Sequence, residues 1–529
     1  MRLSLIREEG LIAVLLWAII AAGLLTWKNV APALMNLKPF EASIAATDTP
    51  CDIPFSVEET LMFPTLDGAS LTMMPKDSTN IFIEYGVESG IYTKKTAPQS
   101  VAAGQAAKFT LNGLRPDKKI YYRVRCTNPG EKRFSSRPEH TFNTLRSPGK
   151  TFTFVYGTDS HYYELWSGQT FSGGNGAPLQ SFNLSLAHIT NDHPDFHVIG
   201  GDWAMTECKC PGGMYNGESY ASNDTVDASQ ALKRYVKTFA PDAYGQVTKD
   251  IPITYILGNH DGEAGFDVPV LNASYSARST LFPELPASYH GDPEGRYYAF
   301  ESGSARFIFV DVMRNTVVVP QTADDWKLGQ TQLDWLHGQL TEAAAKGPDG
   351  KLRNPLVFII AEHLDGGEPS YGVLANNTWY GRGGLKATVD DLTSGMFKGE
   401  QAKIQDMEME YTAAGGTVVF MSGHDHIAIT PTEKPNLDGT GTHTYMLKGG
   451  RMGGVGFGWV VDNAFKKEMD WDGNGNADYL DIGLGTKTPG YFRITVNGTQ
   501  GATFEYILSD KDNPALDNTV AFSKTISTQ

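Results

Sequence analysis

Cysteine is scarce in this chain: four residues in 529, too few for a disulfide-built scaffold. Positive charge is in deficit as well. Lys and Arg number 44 against 60 Asp and Glu, and the formal charge of −16 excludes nucleic acid as a partner through a general basic surface. No internal repeat or low-complexity tract stands out, which removes solenoids and collagen-like chains. What is present is a globular composition, 41% hydrophobic and 20% charged, long enough for two or more domains. Gly (56) and Pro (28) together make about a sixth of the chain and imply many turns.

Residues 10–27 form an uncharged, mostly apolar run behind Arg2 and Arg7. Its length lies between a signal-peptide core and a spanning helix, and the preceding arginines leave the amino terminus inside and export the rest. Residues 1–40 are therefore expected to be a signal peptide or a signal anchor. Ala31-Pro32-Ala33 offers a cleavage site, whereas Trp27-Lys28 favours an anchor. The protein is expected to be secreted (periplasmic or extracellular) or held outward on the membrane by this helix if uncleaved. Export favours thiol oxidation. Cys51, Cys126, Cys208 and Cys210 allow three pairings. A Cys208–Cys210 ring would be small and strained. Cys51–Cys126 is the preferred bond, with Cys126 as a small buried hydrophobe the alternative.

Residues 50–147 read as an all-β domain. Ile120, Tyr122, Val124 and Cys126 alternate with Tyr121, Arg123 and Arg125, the period of a strand with one buried face. After a short linker at 147–150 the pattern changes. Apolar runs at 152–156, 196–199, 253–257, 307–310, 356–360 and 418–421 alternate with helix-like stretches such as 179–190 and 330–345. This predicts an α/β domain with buried strands over 151–511. Residues 512–529 read as a polar tail.

The residues after these strands carry the chemistry. The runs lead into Gly157-Thr158-Asp159-Ser160-His161, Gly200-Gly201-Asp202, Gly258-Asn259-His260-Asp261, Ala361-Glu362-His363 and Ser422-Gly423-His424-Asp425-His426. Side chains at the carboxyl ends of α/β strands converge, and glycine allows close backbone approach beside each ligand. Asp and Asn oxygens with imidazole nitrogens suit iron, manganese or zinc. Seven groups (Asp159, His161, Asp202, Asn259, His363, His424 and His426) exceed the needs of one ion and suit two ions sharing a carboxylate. Such a pair activates water and stabilises an in-line phosphoryl transition state. His260 is the candidate proton donor to the leaving oxygen, with Asp261 as its orienting group. His188, His193, His197 and His443 lack this context and are read as structural.

The ordered blocks resemble the calcineurin-like metallophosphoesterase superfamily. The resemblance implies Asp159, His161 and His426 on one metal, Asp202 bridging, and Asn259, His363 and His424 on the other, with His260 contacting phosphate as general acid. Leu114-Arg115-Pro116 and the tyrosine-rich strand after it resemble a fibronectin type III domain. That domain before a catalytic one is similar to the purple acid phosphatases. Met205 stands where those enzymes carry a tyrosine, three residues after the bridging Asp, and Asp159-Ser160-His161 also departs from their first block. A ferric–tyrosinate colour is therefore not expected. The fold implied is a four-layer metallophosphoesterase-type α/β sandwich, preceded by a small all-β sandwich and an N-terminal hydrophobic helix.

Asp470, Asp472, Asn474, Asn476, Asp478 and Asp481 lie in a segment that resembles an EF-hand-type calcium loop, with Gly475 at the sharp turn. A structural Ca²⁺ is expected there. The long segment 203–250 is expected to shape the mouth of the site. The function expected is hydrolysis of phosphate mono- or diesters by metal-activated hydroxide. The competing reading is a non-catalytic envelope binding or adhesion protein that uses the fold as a scaffold.

Overall fold

A computed structural model describes residues 49–162, 164–165, 177–204, 206, 214–215, 218–219, 227–258, 261, 273–312, 328–363, 400–424, 426, 428–435, 441–453 and 488–529. Thr49–Gln529 form one compact unit. The run 10–27, Met205, Cys208, Cys210, Asn259, His260, Asp425 and the loop 470–481 lie outside the described residues. Among the described residues no helix is long and apolar enough to cross a membrane.

The first part is all-β. Strands β1 (Phe55–Thr65), β2 (Gly68–Pro75) and β4 (Ala107–Leu111) make one layer. Strands β3 (Thr79–Gly86), β5 (Lys119–Thr127) and β6 (His140–Asn143) belong to the other. The expected alternation holds: Ile120, Tyr122, Val124 and Cys126 are buried in a core shared with Leu61, Leu71 and Phe109. Cys51 and Cys126 are joined by a disulfide, with their Cα atoms 6.1 Å apart.

This layer pair is not a closed unit. β1 also runs parallel to β9 (Ile253–Ile256), with Met62 opposite Ile253, so its layer continues a nine-stranded sheet. Burial explains the continuation. From Glu59 onward β1 is buried on both faces, as an interior strand must be.

The nine-stranded sheet runs β18-β17-β16-β7-β8-β9-β1-β2-β4, where β7 is Phe152–Gly157, β8 Phe196–Gly200, β16 Gly490–Val496, β17 Gly501–Leu508 and β18 Val520–Ser527. A second sheet contains β10 (Tyr298–Ser302), β11 (Ala305–Phe309), β12 (Leu356–Ala361), β13 (Thr417–Ser422), β15 (Gly441–Lys448) and β14 (Ile429–Pro435) in that spatial order. Aromatic rings fill the space between the sheets. Phe154 lies 5.4 Å from Phe196, 5.0 Å from Phe307 and 5.2 Å from Phe358, centroid to centroid. Helices cover the outer faces. Helix α1 (Ala177–Asp192) and helix α2 (Ala228–Thr238) lie on the first sheet's side, and α3 (Gln330–Ala343) and α4 (Glu400–Ala413) on the second sheet's. Asp227 caps α2 in a capping box with Gln230, and Ala231, Tyr235 and Thr238 form its buried stripe.

The carboxyl end departs from the sequence reading. Residues 512–529 are no tail, because β18 pairs antiparallel with β17 as the edge of the sheet. Its polarity belongs to an edge strand with one face in water, which composition alone does not separate from a solvated tail. Asp517, just before it, meets His188 Nε2 at 3.3 Å.

Candidate metal centre

Parallel pairing brings the ligands together. β7, β8 and β9 are mutually parallel in one sheet, and β11, β12, β13 and β15 in the other. Their carboxyl ends therefore open onto one edge of each sheet, and the two edges meet. The Asp159 N–H donates to Gly201 O at 3.1 Å and the His161 N–H to Asp202 O at 3.0 Å, which locks the β7 and β8 loops side by side. The His424 N–H donates to the Asp159 carboxylate at 3.0 Å and ties the second sheet to the first.

The loops hold an unusual backbone. Asp159, His161, Asp202, His424 and His426 all have positive φ, from 41° to 68°. Each such residue other than glycine costs about 1–3 kcal/mol, and such residues gather at functional sites. Glycines make room beside them. A methyl on Gly201 would collide with the Glu362 carboxylate, one on Gly258 with Asp202, and one on Gly423 with Thr158 and Asp159.

Two groups of metal-type ligands lie among the described residues: Asp159, His161, Asp202 and His426, and then Asp202, Glu362 and His424. In each group the ligand atoms lie within 4.8 Å of one another, and Asp202 belongs to both. His426 Nε2 is 3.1 Å from Asp159 Oδ1 and 3.1 Å from His161 Nε2. His161 Nε2 is 3.5 Å from Asp202 Oδ2. The His363 ring is buried and lies 4.0 Å from the His424 ring. Asp261 accepts N–H bonds from Trp203 (3.1 Å), Ala204 (2.8 Å) and Gly258 (2.9 Å), so its carboxylate fastens the loop after β9 to the Asp202 loop. Motif reading passed over Glu362. Its one signal was its place directly at the end of a buried strand.

The donor set fits cations. Asp159, Asp202 and Glu362 are at most 1% exposed, and neither oxygen of Glu362 has a hydrogen-bond partner among the described residues. Buried carboxylates this close repel one another unless positive charge lies among them. Burial would raise Asp159, but His426 and His161 hold it well below the usual range. Burial and the nearby Asp202 push Asp261 up to about 7. Burial, then Asp202 and Asp159, push Glu362 well above its ordinary value.

These shifts predict how the metal-free protein responds to pH. A carboxyl raised in the folded state contributes stability that is fully present below its ordinary value, 3.8 for Asp261, and is lost as pH rises through about 7. Chelated protein should therefore melt at progressively lower temperature from about pH 4 to 7. Metal added back at pH 7 should reverse the loss, because cations favour the ionised carboxylates. Scanning fluorimetry across pH, with and without EDTA, checks this; a chelated protein that becomes more stable over that range contradicts it.

The whole chain can be compared with known structures. PhoD superposes with a TM-score of 0.59 at 14% identity, over 92% of this chain and 94% of that one. The chain has the fold of PhoD. A purple acid phosphatase from yellow lupin (Lupinus luteus) seeds superposes with a TM-score of 0.51 at 15% identity, over 89% of this chain and 74% of that one. The match to PhoD spans nearly the full length of both chains. No family model and no curated protein sequence matches the chain.

Proposed function

We propose that this chain is an exported, binuclear-metal phosphoesterase that hydrolyses phosphate mono- or diesters. The observation that carries the reading is Asp202, a buried carboxylate common to two ligand groups where the two sheets meet. The names of the two structural neighbours point the same way, one being a purple acid phosphatase. Asp159, His161 and His426 would hold the first ion, Asp202 would be shared, and Asn259, His363 and His424 would hold the second. Ions bound there supply a nucleophile from water near neutral pH and neutralise charge on the phosphoryl oxygens.

The protein's own groups do the rest. His260 donates a proton to the leaving oxygen, and Asp261 positions the loop that carries it. Export is supported by the Cys51–Cys126 disulfide, since such bonds persist in oxidising compartments. The loop 470–481 is proposed as a structural calcium site, and residues 50–147 as a fibronectin type III-like module.

Metal analysis of the purified protein, with a panel of phosphomonoesters and phosphodiesters, tests the reading. His260→Ala then tests the proton donor. General acid catalysis contributes about 10²–10⁴-fold. The variant should keep its metals, lose activity heavily on alkyl phosphates and lose much less on nitrophenyl phosphates, whose leaving group needs no proton. Equal losses on both, with metals retained, would recast His260 as a phosphate-charge stabiliser.

A further inference from the structure

Glu362 ends β12 beside His363 and belongs to no part of the ligand set implied by the motifs. We infer that Glu362 is a direct ligand of the second metal ion, adding a carboxylate beside Asp202 and His424 to the ligands proposed above. The inference deepens the binuclear reading above and rests on it.

The buried acids of the site differ in how they are satisfied. Asp261 accepts three backbone N–H groups. Asp159 accepts the Thr158 hydroxyl at 2.8 Å and the His424 N–H. Glu362 is as buried as they are, and among the described residues neither of its oxygens has a hydrogen-bond donor. Asp202, Asp159 and Asp261 act on it with charge of its own sign, and His161, the weakest of these influences, opposes them. A structural role by hydrogen bonding is thus left without a donor.

Its position suits coordination. A Glu362 oxygen lies within 4.8 Å of both an Asp202 oxygen and a His424 nitrogen. Donors about 2.0–2.2 Å from a shared ion are at most roughly 4.4 Å apart, so a small side-chain movement closes the set. The chain also keeps that space open. Glu362 packs against Gly201, whose φ is +101° and where any side chain would strike the carboxylate. An additional carboxylate makes the second position harder, which suits manganese or iron.

Manganese titration of the metal-free full-length protein tests the inference. Wild type should bind two Mn²⁺ per chain and show the resonance signal of an exchange-coupled pair. E362Q keeps the shape and removes the charge. It should bind one Mn²⁺ as before, weaken the second by roughly 100-fold or more, and show an isolated-ion signal. Free of metal, E362Q should melt at a higher temperature than metal-free wild type, because a repelled buried carboxylate has gone. A purely structural Glu362 gives the reverse, a lower melting temperature with both sites intact. E362D guards against a Gln variant that fails to fold. With the charge kept and the reach shortened, it should still bind two ions, the second about 10-fold more weakly. Two Mn²⁺ bound with unchanged affinity in E362Q, or in E362D if only that variant folds, overturns the inference and leaves the phosphoesterase reading standing. No Mn²⁺, Fe or Zn uptake by wild type overturns both.

Discussion

Asp202→Asn is expected to empty both metal positions and to lower turnover by about 10³-fold or more. The side chain is 1% exposed, 3.5 Å from His161 Nε2, and belongs to both ligand groups. Asn has the same shape and tolerates the left-handed backbone at this position, φ 50°. The backbone carbonyl that accepts the His161 N–H is untouched. The fold should therefore persist, and the loss isolates the shared charge. Metal assistance is worth several kcal/mol at a phosphoryl transition state, and each 1.4 kcal/mol is tenfold in rate. Metal analysis and circular dichroism of the variant check this. Two ions per chain with normal turnover would reject the shared role of Asp202.

Gly201→Ala should destabilise the protein by about 3–5 kcal/mol, combining left-handed strain with overpacking. Its φ is +101°, Gly258 Cα would lie 3.2 Å from the new methyl, and the Glu362 carboxylate occupies the methyl's place. Gly415 supplies a matched control: its φ is +103° and nothing lies within 4 Å of a Cβ there. Gly415→Ala should show the backbone cost alone. The difference between the two melting temperatures measures how tightly the loop after β8 packs against Glu362. Metal content should fall in Gly201→Ala and stay at the wild-type level in Gly415→Ala. Equal shifts in the two variants would mean that the carboxylate moves aside without cost.

Much of the centre was legible in the sequence for a local reason. A buried parallel strand must be apolar throughout, so a polar group directly after one is conspicuous. Asp159, Asp202, His363 and His424 each follow such a run within three residues. Helices 179–190 and 330–345 were equally visible, and both form with ends within about two residues of the reading. The Cys51–Cys126 bond was the preferred pairing of three, and it is the one that forms. Asn259, His260 and the calcium-type loop 470–481 lie outside the described residues, and their roles stay proposals.

Three things were decided only in three dimensions. The carboxyl-terminal residues Val520–Ser527 look like a solvated tail because an edge strand wets one face, and only its pairing with Gly501–Leu508 shows otherwise. The β-rich first part looks separable because its alternation is local, yet Met62 opposite Ile253 joins it to the nine-stranded sheet. Glu362 looks like one acid among sixty, since a sequence cannot show that an oxygen has no donor. The sequence by itself determined which side chains stand at the strand ends, because that order depends on neighbours along the chain. The tertiary structure decided which of them come within 4.8 Å of one another, because that depends on where the two sheets bring their edges together.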